Sequence, residues 1–322
     1  MNRRHLLAAA GVALPSIAAG QPADWPNRPI RTVVPFPPGG PNDIIARLLA
    51  PQLGEALRQP VLVENRAGGS GMVGTDYVLK SAPDGYTLGI VDGGSLVIVP
   101  HTQPALPYKV PDDVALISVV ARVPEALVAH PGVGAATLPE LLDLAKRRPG
   151  RFNIGTAGAA GISHLAAVQF KAQTGVEAEV VPYRGAAPAV TDLVAGQIQL
   201  LFADLPVILP HIRARALAPL ALAARTRSPS LPDLPTTGEA GFPKLLAENW
   251  YCMVGPPQLA AGIRDRLSAA AKAAAGSTAV RDGLAAQGAE AAWTSPQEFA
   301  ALVQEESAVW RQVAHSAGIK AD

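Results

Sequence analysis

Cysteine is nearly absent: Cys252 stands alone in 322 residues. That excludes an intrachain disulfide and a cysteine-based zinc site. It does not decide the compartment, because disulfides are optional even in oxidising ones. Aromatic residues make up 5% of the chain, too few for an all-β binder built on stacking platforms. Charge is scarce as well, at 16% of residues with a net of +1 and no basic run beyond the N-terminus, so nucleic acid and an acidic membrane surface are excluded as partners. The histidines are scattered, and no H-E-x-x-H or clustered His/Asp set points to a metal. No cofactor is expected. Past the N-terminus no apolar run is long enough to span a bilayer.

What is present begins with Arg3 and Arg4, an apolar run from Leu6 to Ala19, and small residues up to Gly20. This is the pattern of a secretory signal, residues 1–20, cut near Gly20. The paired arginines leave Sec and twin-arginine export both open. The mature chain is then expected to be soluble and exported. Its hydrophobic content of 49% builds a sizeable core, and its length allows one large or two ordinary α/β domains.

The chain is organised around Thr32–Ala50. Thr32 to Val34 suit a strand. Pro35, Pro37 and Pro38 stop it, Gly39 and Gly40 let the backbone turn, and Pro41 suits a first helical position. Ile44, Ile45, Leu48, Leu49 and Leu53 follow at helical spacing. A helix start at a strand's C-terminal end can hold an anion without any cationic side chain. The competing reading is an ordinary joint in which Asp43 offsets the helix dipole.

Strands and helices keep alternating. Pro60–Glu64 is a strand, and the glycine-rich Asn65–Gly74 opens a helix. Tyr86–Val91 is a strand ending in Asp92. Leu116 to Ala129 carries two short apolar runs either side of Arg122-Val-Pro-Glu125, after which the alternation restarts. Thr137-Leu-Pro-Glu140 is a capping box. The loop Thr156–Gly161 opens a helix, Arg184-Gly185 opens another, and the strand Gln199–Phe202 delivers Asp204. Trp250–Val254 returns toward the first half, and Ser295-Pro-Gln-Glu298 caps a terminal helix. One α/β unit, a second, and a return to the first make two lobes with a cleft between them. The expected lobes are about 24–121 with 245–322, and about 122–244.

Several groups invite chemistry. Gly69-Ser70-Gly-Met-Val-Gly74 with Asp92 downstream has the outline of a dinucleotide fingerprint. Its glycines are delayed by Asn65-Arg-Ala67, however, and it belongs to the second βα unit. The competing reading is a wide loop lining the cleft with backbone amides. Ser163-His164 invites a hydrolase, but no G-x-S-x-G is present. Ser163 reads as a helix cap and His164 as a hydrogen-bonded structural residue. Asp204 is either a cap or a ligand contact. Arg184 and Arg66 can meet a ligand carboxylate or form surface ion pairs.

An ordered set of segments carries a resemblance through nearly the whole mature chain. They are Pro35-Phe-Pro-Pro-Gly-Gly-Pro-Asn-Asp43, Val63-Glu-Asn-Arg66, Ala82-Pro-Asp-Gly-Tyr-Thr-Leu88, Val181-Pro-Tyr-Arg-Gly-Ala-Ala-Pro188 with Thr191-Asp192, and Leu231-Pro-Asp-Leu-Pro-Thr236 with Glu239-Ala-Gly241. The chain resembles the Bug/TctC family of extracytoplasmic solute-binding proteins of tripartite tricarboxylate transporters. The resemblance implies an α/β fold, a two-lobed clamshell of the type 2 periplasmic-binding-protein kind, each lobe a mostly parallel sheet flanked by helices. It implies capture of a small organic acid without reaction, by a monomer that hands the solute to integral-membrane transporter subunits or serves sensing. The loop with Phe36, Pro38, Gly39, Gly40 and Asp43 is implied to reach the ligand, partly through water. The loop with Thr156, Ala157, Gly158, Ser163 and His164 is implied to meet it from the other side. Ser70, Asp92, Arg184, Gly185 and Asp204 complete the candidate set. Where many members read G-N-G-S, this chain has Gly158-Ala-Ala-Gly161, which favours a less polar acid. An exported enzyme acting on a small acid, or a dinucleotide-binding oxidoreductase, remain the alternatives.

Overall fold

In the computed structural model, which describes residues 25–103, 105–159 and 161–316, strands alternate with helices from the first element onward. The expected signal segment lies outside the described residues. The first unit runs β1 (Ile30–Val34), α1 (Pro41–Leu57), β2 (Val61–Asn65), α2 (Met72–Leu79), β3 (Thr87–Asp92), α3 (Gly93–Val97) and α4 (Val99–Thr102). After the long β4 (Ala115–Ala129) comes a second unit: α5 (Leu138–Arg147), β5 (Phe152–Thr156), α6 (Ile162–Thr174), β6 (Ala178–Pro182), α7 (Ala186–Val194), β7 (Leu200–Asp204), α8 (Leu205–Arg213) and β8 (Ala218–Leu222). The chain then returns through β9 (Glu248–Gly255), α9 (Ala261–Gly276), α10 (Thr278–Ala286), β10 (Glu290–Ala291) and α11 (Pro296–Ser316).

The strand order β2-β1-β3-β9-β4-β7-β5-β6 explains the two lobes. In the first, β1 pairs parallel with β2 and β3, and β9 and β4 add antiparallel beside β3. In the second, β5 lies parallel between β6 and β7, and β7 and β8 run antiparallel to β4. β4 belongs to both. Its residues up to Pro124 pair with β9, and those from Glu125 onward pair with β7. The sequence expectation was two short runs broken near Pro124; the structure has a single strand. Pro124 costs no ladder bond because it stands where the pairing passes from one partner to the other. Helices cover both faces, which is why β4 reads as a nearly continuous apolar run.

Helix α1 starts at Pro41 as expected. Its inward face carries Ile45, Leu49 and Leu53, each at most 2% exposed, and each such burial contributes roughly 1.5–3 kcal/mol. On the opposite face of that sheet, α11 seats Phe299 edge-on to Trp250, ring centres 5.6 Å apart. In the second lobe, Phe170 of α6 meets Phe202 of β7 in the same manner. The Ser295–Glu298 capping box forms in full, with Glu298 N–H donating to Ser295 Oγ and Ser295 N–H to the Glu298 carboxylate; at Thr137, Glu140 N–H donates to Oγ1 while the Glu140 carboxylate accepts from Ala136 N–H.

Candidate functional site

Parallel strands deliver their C-terminal ends, and the helix starts that follow, to the space between the lobes. The N-termini of α1, α6 and α7 reach the same cleft, through Pro41 and Asn42, Ile162 and Ser163, and Ala186 and Ala187. The cleft holds about 600 Å³ of atom-free space, solvent at its mouth included. Its walls come close together. A β-carbon at Gly158 would lie 3.2 Å from Ser70 Oγ, one at Gly185 3.1 Å from Pro37 Cδ, and one at Gly94 3.6 Å from the Gly161 Cα. Each pair joins one lobe to the other, so the cleft is closed.

The loop before α1 is braced by an acid that faces away from the cavity. Asp43 accepts from Gly39 N–H at 3.0 Å and from Asn65 Nδ2 at 3.0 Å, and Arg47 Nη2 sits 2.9 Å from it. Burial works to raise its pKa, but the Arg47, Gly39 and Asn65 hydrogen bonds outweigh that and hold it below the ordinary carboxylate range. The left-handed turn sits at Gly39, with φ +79°; Gly40 is extended, at φ −76°. On the facing wall, Ser163 Oγ accepts from Ala157 N–H at 2.9 Å, and Thr156 Oγ1 donates to the Gly158 carbonyl at 3.0 Å.

The floor is made of strands. Asp92 ends β3, Glu125 lies in β4 directly opposite Asp204 of β7, and Asn249 and Tyr251 project from β9. Tyr251 hydroxyl donates to Asp204 Oδ2 at 2.5 Å, and Asn249 Nδ2 donates to the same oxygen at 3.3 Å. Burial raises the Asp204 pKa to about 7, with the Asp92 charge adding to it. Burial and the Asp204 charge push Glu125 well above the ordinary range. Burial also raises Asp92, whose Oδ1 accepts from Ser95 N–H at 2.7 Å and so caps α3.

Residues 45–319 match the Tripartite tricarboxylate transporter family receptor. Protein BugT of Bordetella pertussis is 37% identical over 324 residues, covering 99% of each chain. Among solved structures, R. palustris Rpa4515 with adipate is 35% identical with a TM-score of 0.89, over 92% of this chain and 99% of that one. MatC from Rhodopseudomonas palustris with bound malate is 30% identical with a TM-score of 0.83, over 90% and 99%. The chain belongs to the tripartite tricarboxylate transporter receptor family. It has the two-lobed periplasmic-binding-protein fold of that family, and it is a solute-binding protein. Among the described residues no helix is long and apolar enough to cross a membrane.

Of the positions this receptor's sequence singled out, Phe36, Gly40, Ser70, Asp92, Ala157, Gly158, Ser163 and Asp204 line the cleft. Pro38, Gly39, Asp43, Thr156, His164, Arg184 and Gly185 do not. Pro38 and Gly39 are exposed at the outer edge of their loop, Thr156 is buried beneath its own, and Gly185 is covered by Pro37. Arg184 is exposed. Three local readings are corrected. Ser163 does not cap α6: Gly161 holds that position, and the Ser163 hydroxyl turns back to the Ala157 amide. His164 is not a hydrogen-bonded structural residue: its Nδ1 is buried with no partner among the described residues, and burial lowers its pKa. Asp204 stands at the start of α8 without capping it, its carboxylate drawn to Tyr251 and Asn249 instead.

Sequence reasoning missed Glu125, Asn249 and Tyr251 as site residues. Signals for them exist. Glu125 is an acid inside an apolar run covered on both faces, and Asn249 and Tyr251 stand two apart, on one side of β9. The expectation of a less polar pocket, drawn from Gly158–Gly161, does not describe the floor, where the polar groups come from strands; residue 160 itself lies outside the described residues.

Proposed function

We propose that this receptor captures a small organic carboxylate in its interlobe cleft and releases it unchanged to integral-membrane transporter subunits or to a sensing partner. The observation that carries the reading is the convergence of three helix starts on one closed cavity. Free amides at a helix start bear partial positive charge and need little reorganisation when an anion arrives. The two solved relatives named with adipate and malate support the same ligand class. On this reading the protein is exported with cleavage near Gly20 and works in the periplasm, as a monomer.

The lobes are taken as about residues 24–121 with 245–322, and about 122–244. The pairing change along β4 at Pro124 and Glu125 supports a hinge there. Opening about that hinge admits the solute, so X-ray scattering should give a smaller radius of gyration at saturation. A buried acid near pH 7 hydrogen-bonded to a tyrosine also suits proton transfer, which keeps an exported enzyme as the second reading. Incubation with a panel of mono- and dicarboxylates, reading thermal shift and product together, tests both. A shift without product is the expected result; product, or no shift with any acid, defeats the proposal.

A further inference from the structure

Glu125 and Asp204 stand directly opposite each other on the paired strands β4 and β7, so their side chains leave one face with β-carbons about 5 Å apart. Both line the floor of the cleft, Glu125 1% exposed and Asp204 5%. Each keeps an oxygen without a partner among the described residues, Glu125 Oε2 and Asp204 Oδ1. The groups that face them are Asp92 at the end of β3 and the Tyr251 hydroxyl and Asn249 amide of β9, and none carries positive charge. No lysine, arginine or histidine among the described residues lines any part of the cleft. Arg122 and Glu248, on β4 and β9, pair with each other at 3.1 Å in a separate surface pocket. On the walls, Asp43 turns away to its own donors, and His164 of α6 does not line the cleft. Two acids this close, buried and without a counter-charge, do not both ionise. Asp204 has donors that favour a carboxylate, Tyr251 and Asn249 on Oδ2, whereas Glu125 has none and keeps its proton more firmly.

We propose that Glu125 and Asp204 meet the bound solute as carboxylic acids, each donating the O–H of its bare oxygen to an acceptor oxygen of that solute, so that capture above neutral pH takes a proton from solvent. This rests on the reading of the cleft as a small-carboxylate site and adds to it a donor role for two named side chains. A floor of ionised acids would repel an anion, whereas an acid that keeps its proton offers a hydrogen bond and no charge. The helix starts supply only partial positive charge, so the floor has to be neutral for an anion to stay. Burial raises both acids, Glu125 well above the ordinary range and Asp204 to about 7, and a solute carboxylate beside them pushes the same way. The sign with pH follows. The free floor gives up a proton as pH rises through about 7, while the occupied floor keeps it, so affinity falls as pH rises.

Titration calorimetry with hexanoate, succinate, glutarate and adipate, all fully ionised above pH 7, tests this. The parent protein should bind at least one of them, and its affinity should fall about tenfold or more between pH 7 and pH 9. Heats compared in buffers of different ionisation enthalpy should show uptake of about one proton per solute at pH 8. In the variant carrying both Glu125→Gln and Asp204→Asn, the amides donate without titrating. Its affinity should be level across the same pH range, with no proton taken up. Glu125→Met, similar in size but with no donor, should weaken binding more than Glu125→Gln does. Thermal unfolding shows that each variant is folded. If the parent's affinity is level with pH, or if its pH dependence and proton uptake persist in the double amide variant, the donor role is wrong while the carboxylate reading stands. Equal binding by Glu125→Met and Glu125→Gln also overturns it, because removal of charge would then be the whole effect. If none of the four acids binds, the donor role falls together with the carboxylate reading.

Discussion

Two buried acids face opposite circumstances. Asp43, at the start of α1, is 4% exposed and surrounded by donors from Gly39, Arg47 and Asn65. Asp204, on the floor, is 5% exposed and has one oxygen doubly served and the other bare. The fold holds Asp43 ionised and pushes Asp204 toward neutrality. Similar exposure therefore has opposite consequences: Asp204 lies deeper in the protein, where burial outweighs its two donors, while the donors around Asp43 outweigh its burial. An acid that the chain has satisfied is part of the scaffold. An acid that it has left half-satisfied beside a cavity is where an occupant can contribute most.

The largest expected effect comes from obstructing the wall. Ligand at about a hundred times its dissociation constant adds ~2.7 kcal/mol to stability. A β-carbon at Gly40 would meet only the Pro37 carbonyl, at 3.4 Å, and the extended backbone there accepts any residue. Gly40→Ala should therefore leave the free protein's Tm nearly unchanged while removing most of the ligand-induced shift. Parent-like binding by a folded Gly40→Ala protein would move the anion away from the start of α1.

Next comes the scaffold acid. Asp43→Ala strips a buried, hydrogen-bonded carboxylate from Gly39, Asn65 and Arg47, and should cost about 2 kcal/mol at pH 7. The sign with pH follows from its lowered pKa. Asp43 contributes fully above its unfolded value, and the contribution is lost as pH falls through the lower folded value. Thermal unfolding of parent and variant should thus converge at strongly acid pH. A gap that stays constant from pH 7 to pH 3 would mean that Asp43 acts by packing.

Much of this contrast was legible in the chain, and the rest was not for a definite reason. Pro41, Gly39 and the Ile45–Leu53 spacing announce α1 locally, because turn chemistry and helical period act within a few residues. The lobe alternation and both helix caps are legible for the same reason. Glu125, Asn249 and Asp204 come from three strands separated by long stretches of chain, and only sheet pairing brings them together. Nor could composition show which way a loop residue faces. Pro37 and Pro38 are neighbours in one stiff loop, yet Pro37 lines the cleft and Pro38 does not. The Ser163 reading failed because Gly161, two residues earlier, was free to take the capping position.

The floor acid should respond in the opposite direction to Asp43. Asp204 titrates at 3.8 when unfolded and at about 7 in the fold, facing Asp92, Glu125 and the Tyr251 hydroxyl. Its contribution is fully present below pH 3.8 and is lost as pH rises to about 7, because the folded chain retains a proton that the unfolded chain has released. Asp204→Asn should accordingly stabilise the unliganded protein by about 1 kcal/mol at pH 8 and by little at pH 4. Calorimetric Tm values at the two pH values check this. A destabilised variant at pH 8 would mean that Asp204 already has its donors, and the contrast with Asp43 would collapse.

The smallest effect is expected at Arg184, the cation nearest in sequence to the start of α7. It sits between β6 and α7, is exposed, and has no side-chain hydrogen bond among the described residues. The next residue, Gly185, is covered by Pro37 across the lobe contact, so the guanidinium stands outside the closed cavity. From there it acts on an anion only through solvent, and such an interaction is screened over about 10 Å at 0.1 M salt. Arg184→Ala should weaken binding of an acid from the panel by about twofold at low ionic strength and by less at 0.2 M salt. The measurement is a pair of titrations at the two salt concentrations. A loss near tenfold that ignores salt would put the guanidinium on the carboxylate itself, and the helix starts of the wall would no longer be the main anion site.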